Sequence, residues 1–374
     1  MLGVMWGCTV RASLALEDGL ALGGESIGVA GSTGGEVVFT TSLTGYQEVL
    51  SDPSYRGQIV VMAYPLIGNY GFSDAGLESR RPQVAGFVVR WAAPDAGGPD
   101  AGGTLPDGAV GLDAYLRAWN LVGIAGIDTR RLVRHLRTAG VRRGIITTDD
   151  ESPGDLVARA RALPDLGELD LVAQVSTPEI IRVPGDGPRI AVLDCGVKQG
   201  IVKHLSSRGC QVLIFPYDAP ADVIRAEQPA GLVITNGPGD PARLQGIAAQ
   251  VRALWEEMPV MGICLGHQIL GIAAGATTFK LPFGHRGSNH PVRDETTGRV
   301  AITTQNHGYA VDEASLAGTG FEVTHHNLHD GTVEGMRHRR LPIFSVQYHP
   351  EGRPGPQDST FLFDRFLDLV RARA

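Results

Sequence analysis

The second half of this chain has a rhythm that few folds can accommodate. Short apolar runs alternate with helix-like segments: RIAVLDCGV, QGIVKHLSSRG, QVLIFP, ADVIRAEQ, GLVITNG, a long helical stretch through ALWEEM, and PVMGIC. Apolar strands separated by helices at this spacing form βαβ units, whose sheet is parallel and covered by helices on both faces. The fold class expected is therefore α/β, with a C-terminal doubly wound, mostly parallel sheet. In such sheets ligands bind beyond the carboxyl ends of the strands, so the chemistry is expected in the loops after GLVITN and PVMGI.

The first half reads differently. GEVVFTTSL, QIVVMAYPLIG and VAGFVVRW are short strands bounded by turn residues, and a helix-like TRRLVRHLRTAG follows. With 374 residues, two domains are expected. Residues 1–150 are assigned to a β-rich mixed α/β domain, 151–187 to a polar, proline-punctuated linker with one or two short helices, and 188–374 to the α/β domain. DAGGPDAGG at 95–103 is expected to be an exposed turn-forming loop without a chemical role.

Composition excludes several functions. The net charge is −7, and no run of Lys and Arg is interleaved with aromatics, so nucleic acid is not expected as a partner. The N-terminal MLGVMWGCTVRASLAL has no basic region ahead of its apolar part, which argues against a signal peptide. No window approaches the ~20 apolar residues of a membrane-spanning helix, and a cytoplasmic protein without membrane contact is expected. The cysteines Cys8, Cys195, Cys210 and Cys264 are widely spaced with no C-x-x-C pair. That pattern suits neither a disulfide framework nor a zinc site, and leaves room for one reactive thiol.

Cys264 is the candidate. It lies in PVMGICLGHQ, a G-x-C-x-G sequence running from an apolar strand into a helix. The related G-x-S-x-G turn lifts a nucleophile above a sheet at a helix N-terminus, where the helix dipole favours a thiolate. A lone cysteine is more often a small buried hydrophobe, but the two glycines and the strand-to-helix setting favour the nucleophile. A base and its orienter are available in His349 and Glu351 of SVQYHPE, at the end of the apolar strand LPIFSVQY. His267 and His307 compete for the role of base, and spacing alone does not choose among the three. Asn236–Asp240 (NGPGD) and QNHGYAVD have the character of backbone cradles, able to bind an oxyanion or carboxylate, although a plain turn would read similarly. His325, His326 and His329 lie in a loop-like stretch without metal-ligand spacing, and no metal site is expected. There is also no G-x-x-x-x-G-K-[ST] and no strand-linked G-x-G-x-x-G, so an ATP-driven step would occur elsewhere.

GICLGHQ and HPE together resemble the class I, triad-type glutamine amidotransferases, whose domain is flavodoxin-like. TSLTGYQEVLSDPSYRGQIVVMAYPLIGNYG at 41–71, with GIDTRRLVRHLR, NGPGDP, FGHRGSNHPV and QNHGYAVD, extends the resemblance to the small subunits of carbamoyl-phosphate synthetases over residues 12–370. The resemblance implies that Cys264 attacks the glutamine carboxamide, that His349 moves the protons, and that Glu351 orients His349. It implies glutamine-binding positions at Ser54, Gly237, Gly239, Leu265, Gln268, Asn306, Gly308 and Tyr309, with the amides of Leu265 and Gly239 as oxyanion donors. It further implies a heterodimer with a large subunit, to which ammonia is channelled and which uses ATP, magnesium and bicarbonate to make carbamoyl phosphate for arginine and pyrimidine synthesis. No cofactor is implied for this chain itself. Amidotransferases serving another acceptor and a non-catalytic regulatory subunit are the alternatives; the 41–71 motif opposes the first and the intact triad opposes the second. The chain departs from the family pattern in having Gly352-Arg353 where Ala-Ser is usual, Tyr309 where Phe is commoner, and a first ten residues that match nothing in it.

Overall fold

The computed structural model describes residues 10–94, 105, 106 and 108–373. The 95–103 run and residues 1–9 therefore lie outside the described residues. The chain divides into two compact units. One comprises the chain up to Ser51 and Tyr55–Leu166, and the other joins Asp52–Ser54 to Gly167–Ala374.

In the first unit, strands Arg11–Leu16, Ala21–Gly28, Ser32–Thr40, Gln58–Met62, Gly86–Val88, Val122–Ala125 and Arg142–Thr147 close into a barrel. Closure pairs every edge, and alternation sends Leu16, Val37, Ile59, Val61 and Ile146 into the interior, while Val38, Val60 and Phe87 face outward onto the helices Tyr46–Ser51 and Leu112–Ala118. The helix Thr129–Ala139 follows the expected TRRLVRHLRTA segment. The Asp128 carboxylate accepts from the Arg131 N–H at 2.9 Å to cap its start, and Gly140 at φ +86° ends it.

The segment expected to be a linker with one or two short helices holds a short helix and is shared between the two units. Its first part forms the helix Pro153–Ala162, capped by Ser152, with Leu156 and Ala160 buried against Ala15 and Ile145 of the barrel strands. Arg143 reinforces this by donating from Nη1 to the Leu163 carbonyl at 2.6 Å and from Nε to Glu17 at 2.7 Å. Its last part, Ile181–Val183, adds an antiparallel edge strand to Gln211–Pro216 in the second unit. The polar surface residues that suggested a linker belong to the solvent side of a helix whose apolar side is only two turns long.

The second unit contains a ten-stranded sheet among the described residues, in the order Ile181–Val183, Gln211–Pro216, Arg189–Asp194, Gly231–Ile234, Val260–Ile263, Ile343–Val346, Val333–His338, Phe321–Asn327, Thr278–Asp294, Val300–Val311. Neighbours from Gln211–Pro216 to Ile343–Val346 are parallel, and those beyond are antiparallel. Period-two alternation sends Ala191, Leu193, Leu232 and Ile234 to one face, against Ile247, Val251, Ile269 and Leu270. It sends Ile190, Val192, Val233 and Met261 to the other, against Ile201, Leu205, Phe363 and Phe366. The helix expected through ALWEEM is shorter, Gln245–Leu254, because Pro259 draws the chain into the next strand. No helix among the described residues is long and apolar enough to cross a membrane.

The docked helix makes a stability prediction. Leu156→Ala should destabilise the first unit by about 2–5 kcal/mol, read as a lower urea midpoint for that unit's transition. An unchanged midpoint would mean that the helix is not part of its core.

Candidate active site

The carboxyl ends of four parallel strands bring the site together. Val260–Ile263 delivers Cys264 into a turn with φ +54° and ψ −103°, a conformation that a side chain rarely adopts, and the helix Leu265–Ala273 starts at once. Two main-chain bonds hold the turn: the Cys264 N–H donates to the Val346 carbonyl at 2.9 Å and the Gly266 N–H to Thr235 at 3.0 Å. The glycines of G-x-C-x-G are dictated by this crowding. A Cβ on Gly266 would be driven into the Ile234 carbonyl, and one on Gly262 would lie 2.7 Å from the Gly266 oxygen.

Cys264 is 2% exposed, and its thiol donates to the Asn306 carbonyl at 3.6 Å. His349 follows the Ile343–Val346 strand, anchored by its N–H to the Thr304 carbonyl at 2.9 Å. Its Nδ1 meets Glu351 Oε1 at 2.7 Å, while Nε2 is buried without a closed hydrogen bond. Burial alone lowers the pKa of this ring, but Glu351 first and its neighbour Cys264 second reverse the effect and raise it to about 10.

Lys198 was not found in the sequence. Its ammonium is 2.8 Å from Glu351 Oε1, with both side chains buried, and it also donates to the Arg353 carbonyl. Burial would raise the Glu351 carboxyl, but Lys198 first and His349 second hold it well below its ordinary value of 4.5. A lysine just ahead of the helix Gln199–Ser206 carries no sequence signal for this role, because only the sheet order sets the end of Arg189–Asp194 near Glu351. Arg353 enters through its main chain, so the family departure at that position leaves the contact intact. Gly352 has φ +60°, and a Cβ there would strike the Pro356 carbonyl, so the loop follows a path that suits Gly at this position.

The other expected residues are joined to this core. Gln268 donates from Nε2 to the Tyr309 carbonyl at 2.8 Å and to Gln347 Oε1 at 2.9 Å. Gly237 backs onto the Cys195 carbonyl and the Leu265 side chain, and Gly239 takes φ +94°. Ser54 accepts from Asn236 Nδ2 at 3.0 Å, and its neighbour Asp52 accepts from Asn306 Nδ2 at 2.8 Å. Asp52 is a second residue missed in the sequence, since nothing local distinguishes it from a helix-terminating carboxylate. Asn306, Gly308 and Tyr309 are not in a loop: QNHGYAVD lies on the strand Val300–Val311, paired with Thr278–Asp294. The cradle expected there is a strand edge.

The rival histidines are occupied otherwise. His267 Nδ1 pairs with the Ser345 hydroxyl at 2.9 Å, and burial lowers its pKa to about 3. His307 bonds the Tyr309 carbonyl and His285. His325 and His326 are on the strand Phe321–Asn327, again not in a loop; His326 bridges Glu295 and Glu313 at 2.9 and 3.1 Å. Among the described residues, the group with metal-type donors within 4.8 Å is instead His285, His307 and Glu334. Hydrogen bonds already engage those donors: Glu334 accepts from Asn327 and Gln305, each at 2.8 Å.

The ion pair behind the triad is testable. Held low, Glu351 contributes stability at pH above 4.5 that is lost only as pH falls well below it. Lys198→Met should cost about 3–5 kcal/mol and move the acid limb of glutamine hydrolysis to higher pH, because Glu351 then protonates more easily. Denaturant unfolding and a pH–rate profile check both; an acid limb that stays in place would mean that Lys198 does not set the Glu351 charge.

Residues 14–146 match the family described as carbamoyl-phosphate synthase small chain, CPSase domain, and residues 191–369 match glutamine amidotransferase class-I. The chain is 48% identical over 365 residues to a carbamoyl phosphate synthase small chain of Bacillus caldolyticus, covering 97% of each. It is 49% identical over 366 residues to that of Methanopyrus kandleri, covering 97% of this chain and 99% of the relative. For Symbiobacterium thermophilum the identity is 49% over 361 residues, covering 95% and 97%.

Proposed function

The chain belongs to the carbamoyl phosphate synthase small chain family and is a glutamine-hydrolysing chain that works with a large subunit; from that premise we propose how its own residues perform the hydrolysis. The observation that carries the proposal is the buried Cys264, His349 and Glu351 set at the carboxyl edge of the sheet, backed by Lys198.

Cys264, as thiolate, attacks the carboxamide carbon of glutamine. The oxygen gathers charge and is held by the N–H of Leu265, which as the first helical residue has no partner within the helix, and by that of Gly239. Each such donor is worth roughly 10² to 10³ in rate. His349 gives its Nε2 proton to the departing nitrogen, which leaves as ammonia, and a glutamyl thioester remains on Cys264. The ring then takes a proton from water as the water attacks the thioester, and glutamate leaves as the thiolate is restored. The high pKa of His349 suits the acid half of this cycle, and Glu351 holds the ring through Nδ1. Ser54, Gly237, Gln268, Asn306, Gly308 and Tyr309 bind the amino-acid end of glutamine.

In this reading the chain and its large subunit form a heterodimer in the cytoplasm. Ammonia passes to the large subunit, which combines it with bicarbonate using ATP and magnesium. This chain needs no cofactor of its own.

The experiment is glutamate release by the purified chain, alone and with a large subunit, ATP and bicarbonate. Slow release alone that rises strongly in the complete mixture is expected. Release indifferent to the mixture would point to another acceptor, and none under either condition to a non-catalytic subunit. Cys264→Ser should abolish glutamine-dependent synthesis by the complex and leave ammonia-dependent synthesis intact; loss of both would make the residue structural.

A further inference from the structure

Behind the strand Val300–Val311, on the side away from Asn306, runs a chain of hydrogen bonds whose proton positions follow from geometry. His307 Nδ1 is 2.7 Å from the Tyr309 carbonyl. A carbonyl only accepts, so Nδ1 carries the proton and donates. A neutral His307 then has an acceptor at Nε2, which faces His285 Nδ1 at 3.2 Å. Asn327 Nδ2 also lies 3.4 Å from His285 Nδ1, but that amide donates to Glu334 Oε1 at 2.8 Å, so the shorter contact with His307 sets the proton: His285 donates there and its Nδ1 is protonated. Its other nitrogen, Nε2, is 2.9 Å from Asp330 Oδ2, a carboxylate that also needs a donor. Both nitrogens of His285 thus carry protons, and the ring is an imidazolium. Glu334 Oε1, on a fully buried side chain, lies 3.6 Å from Nδ1 and supplies a second countercharge.

We propose that His285, held as an imidazolium between Asp330 and Glu334, is a positioning residue for glutamine: through His307 it fixes the Tyr309 carbonyl, and with it the strand that carries Asn306 and Gly308 against the nucleophile helix. The proposal rests on the reading of Asn306, Gly308 and Tyr309 as glutamine-binding. The Tyr309 carbonyl is the junction because it accepts from His307 on one side and from Gln268, on the helix that starts after Cys264, on the other. If His285 loses one proton, it can donate to His307 or to Asp330 but not to both. Should it keep the Asp330 bond, either two acceptor nitrogens face each other at 3.2 Å, or His307 changes tautomer and releases Tyr309.

The groups facing the ring are Asp330 after the strand Phe321–Asn327, Asn327 at its end, Glu334 on Val333–His338, His307 on Val300–Val311 and His290 on its own strand; His329 acts on His290 and Arg286 on His307. Burial, then the His285 charge, lowers His290 to about 4, so it is neutral near pH 7. Burial lowers His285 as well, but hydrogen bonds to Asp330 and Glu334 overcome this and raise it to about 9. Its charge is therefore complete below the ordinary 6.5 and is lost as pH rises through about 9. The same spacing of His285, His307 and Glu334 invites a zinc ion, but an ion would have to remove the His285 proton and compete with the amides on Glu334.

Three measurements on the full chain test this. Nitrogen-15 spectra of histidine-labelled protein at about pH 7 should show both ring nitrogens of His285 protonated; a neutral ring, or one zinc ion retained per chain, overturns the proposal. In glutamine hydrolysis, KM should rise through about pH 9 with kcat less affected, and a flat KM overturns it. His285→Leu, which removes the donor, should raise KM about tenfold or more. His285→Asn places an amide nitrogen where Nδ1 stood, so it should recover most of that loss and abolish the alkaline rise in KM. Equal defects in both variants would make His285 merely structural. The spectra need no activity, so a wild-type chain that hydrolyses no glutamine would refute the functional reading and leave the imidazolium to be judged by itself.

Discussion

The strained turn at Cys264 is the constraint from which the rest of the site follows. A side chain at φ +54° persists only where its surroundings over-determine it, and here the bonds to Val346 and Thr235 come from the two flanking parallel strands. The sheet therefore has to be complete before the nucleophile is placed. Sheet completion also brings the Ile343–Val346 strand alongside Val260–Ile263, which puts His349 beside a cysteine 85 positions earlier in the chain.

Charge is organised outward from that turn. Cys264, His349, Glu351 and Lys198 form a buried line in which neighbouring groups can carry opposite signs, so each stabilises the next in a medium too poor to hydrate any of them. A second line, Tyr309, His307, His285 and Asp330, leads from the strand Val300–Val311 toward solvent. The two lines meet the nucleophile helix at opposite ends of its first turn, one at Cys264 and the other at Gln268. The thiol and the strand that carries Asn306 are thereby anchored to one helix, one by a row of charged groups and the other by a chain of hydrogen bonds.

Much of this was legible in the sequence wherever a local pattern carried the information. The apolar strands of the second half alternate with helices, and both faces of each strand are buried, as continuous apolar runs such as RIAVLD require. G-x-C-x-G identified the elbow because its glycines answer a steric demand within five residues. The 151–187 segment was read as a linker with one or two short helices, and the helix Pro153–Ala162 is there; its docking on the barrel strands was not legible, because Leu156 and Ala160 are too few to display a helical period. QNHGYAVD was read as a cradle because Gly308 and Asn306 are turn-forming residues; long antiparallel pairing with Thr278–Asp294 overrides that tendency.

What the sequence by itself determined is the set of local commitments: which runs are strands and helices, where the elbow lies, and that Cys264 sits at its tip. Those follow from periodicity and backbone sterics, which act over a few residues. Which histidine meets a carboxylate behind the elbow, that Lys198 pairs with Glu351, that Asp52 accepts from Asn306 and that His285 lies between Asp330 and His307 were decided only by the tertiary structure. Each depends on the distance between groups far apart in the chain, and on burial strong enough that an ionised group must find its partner.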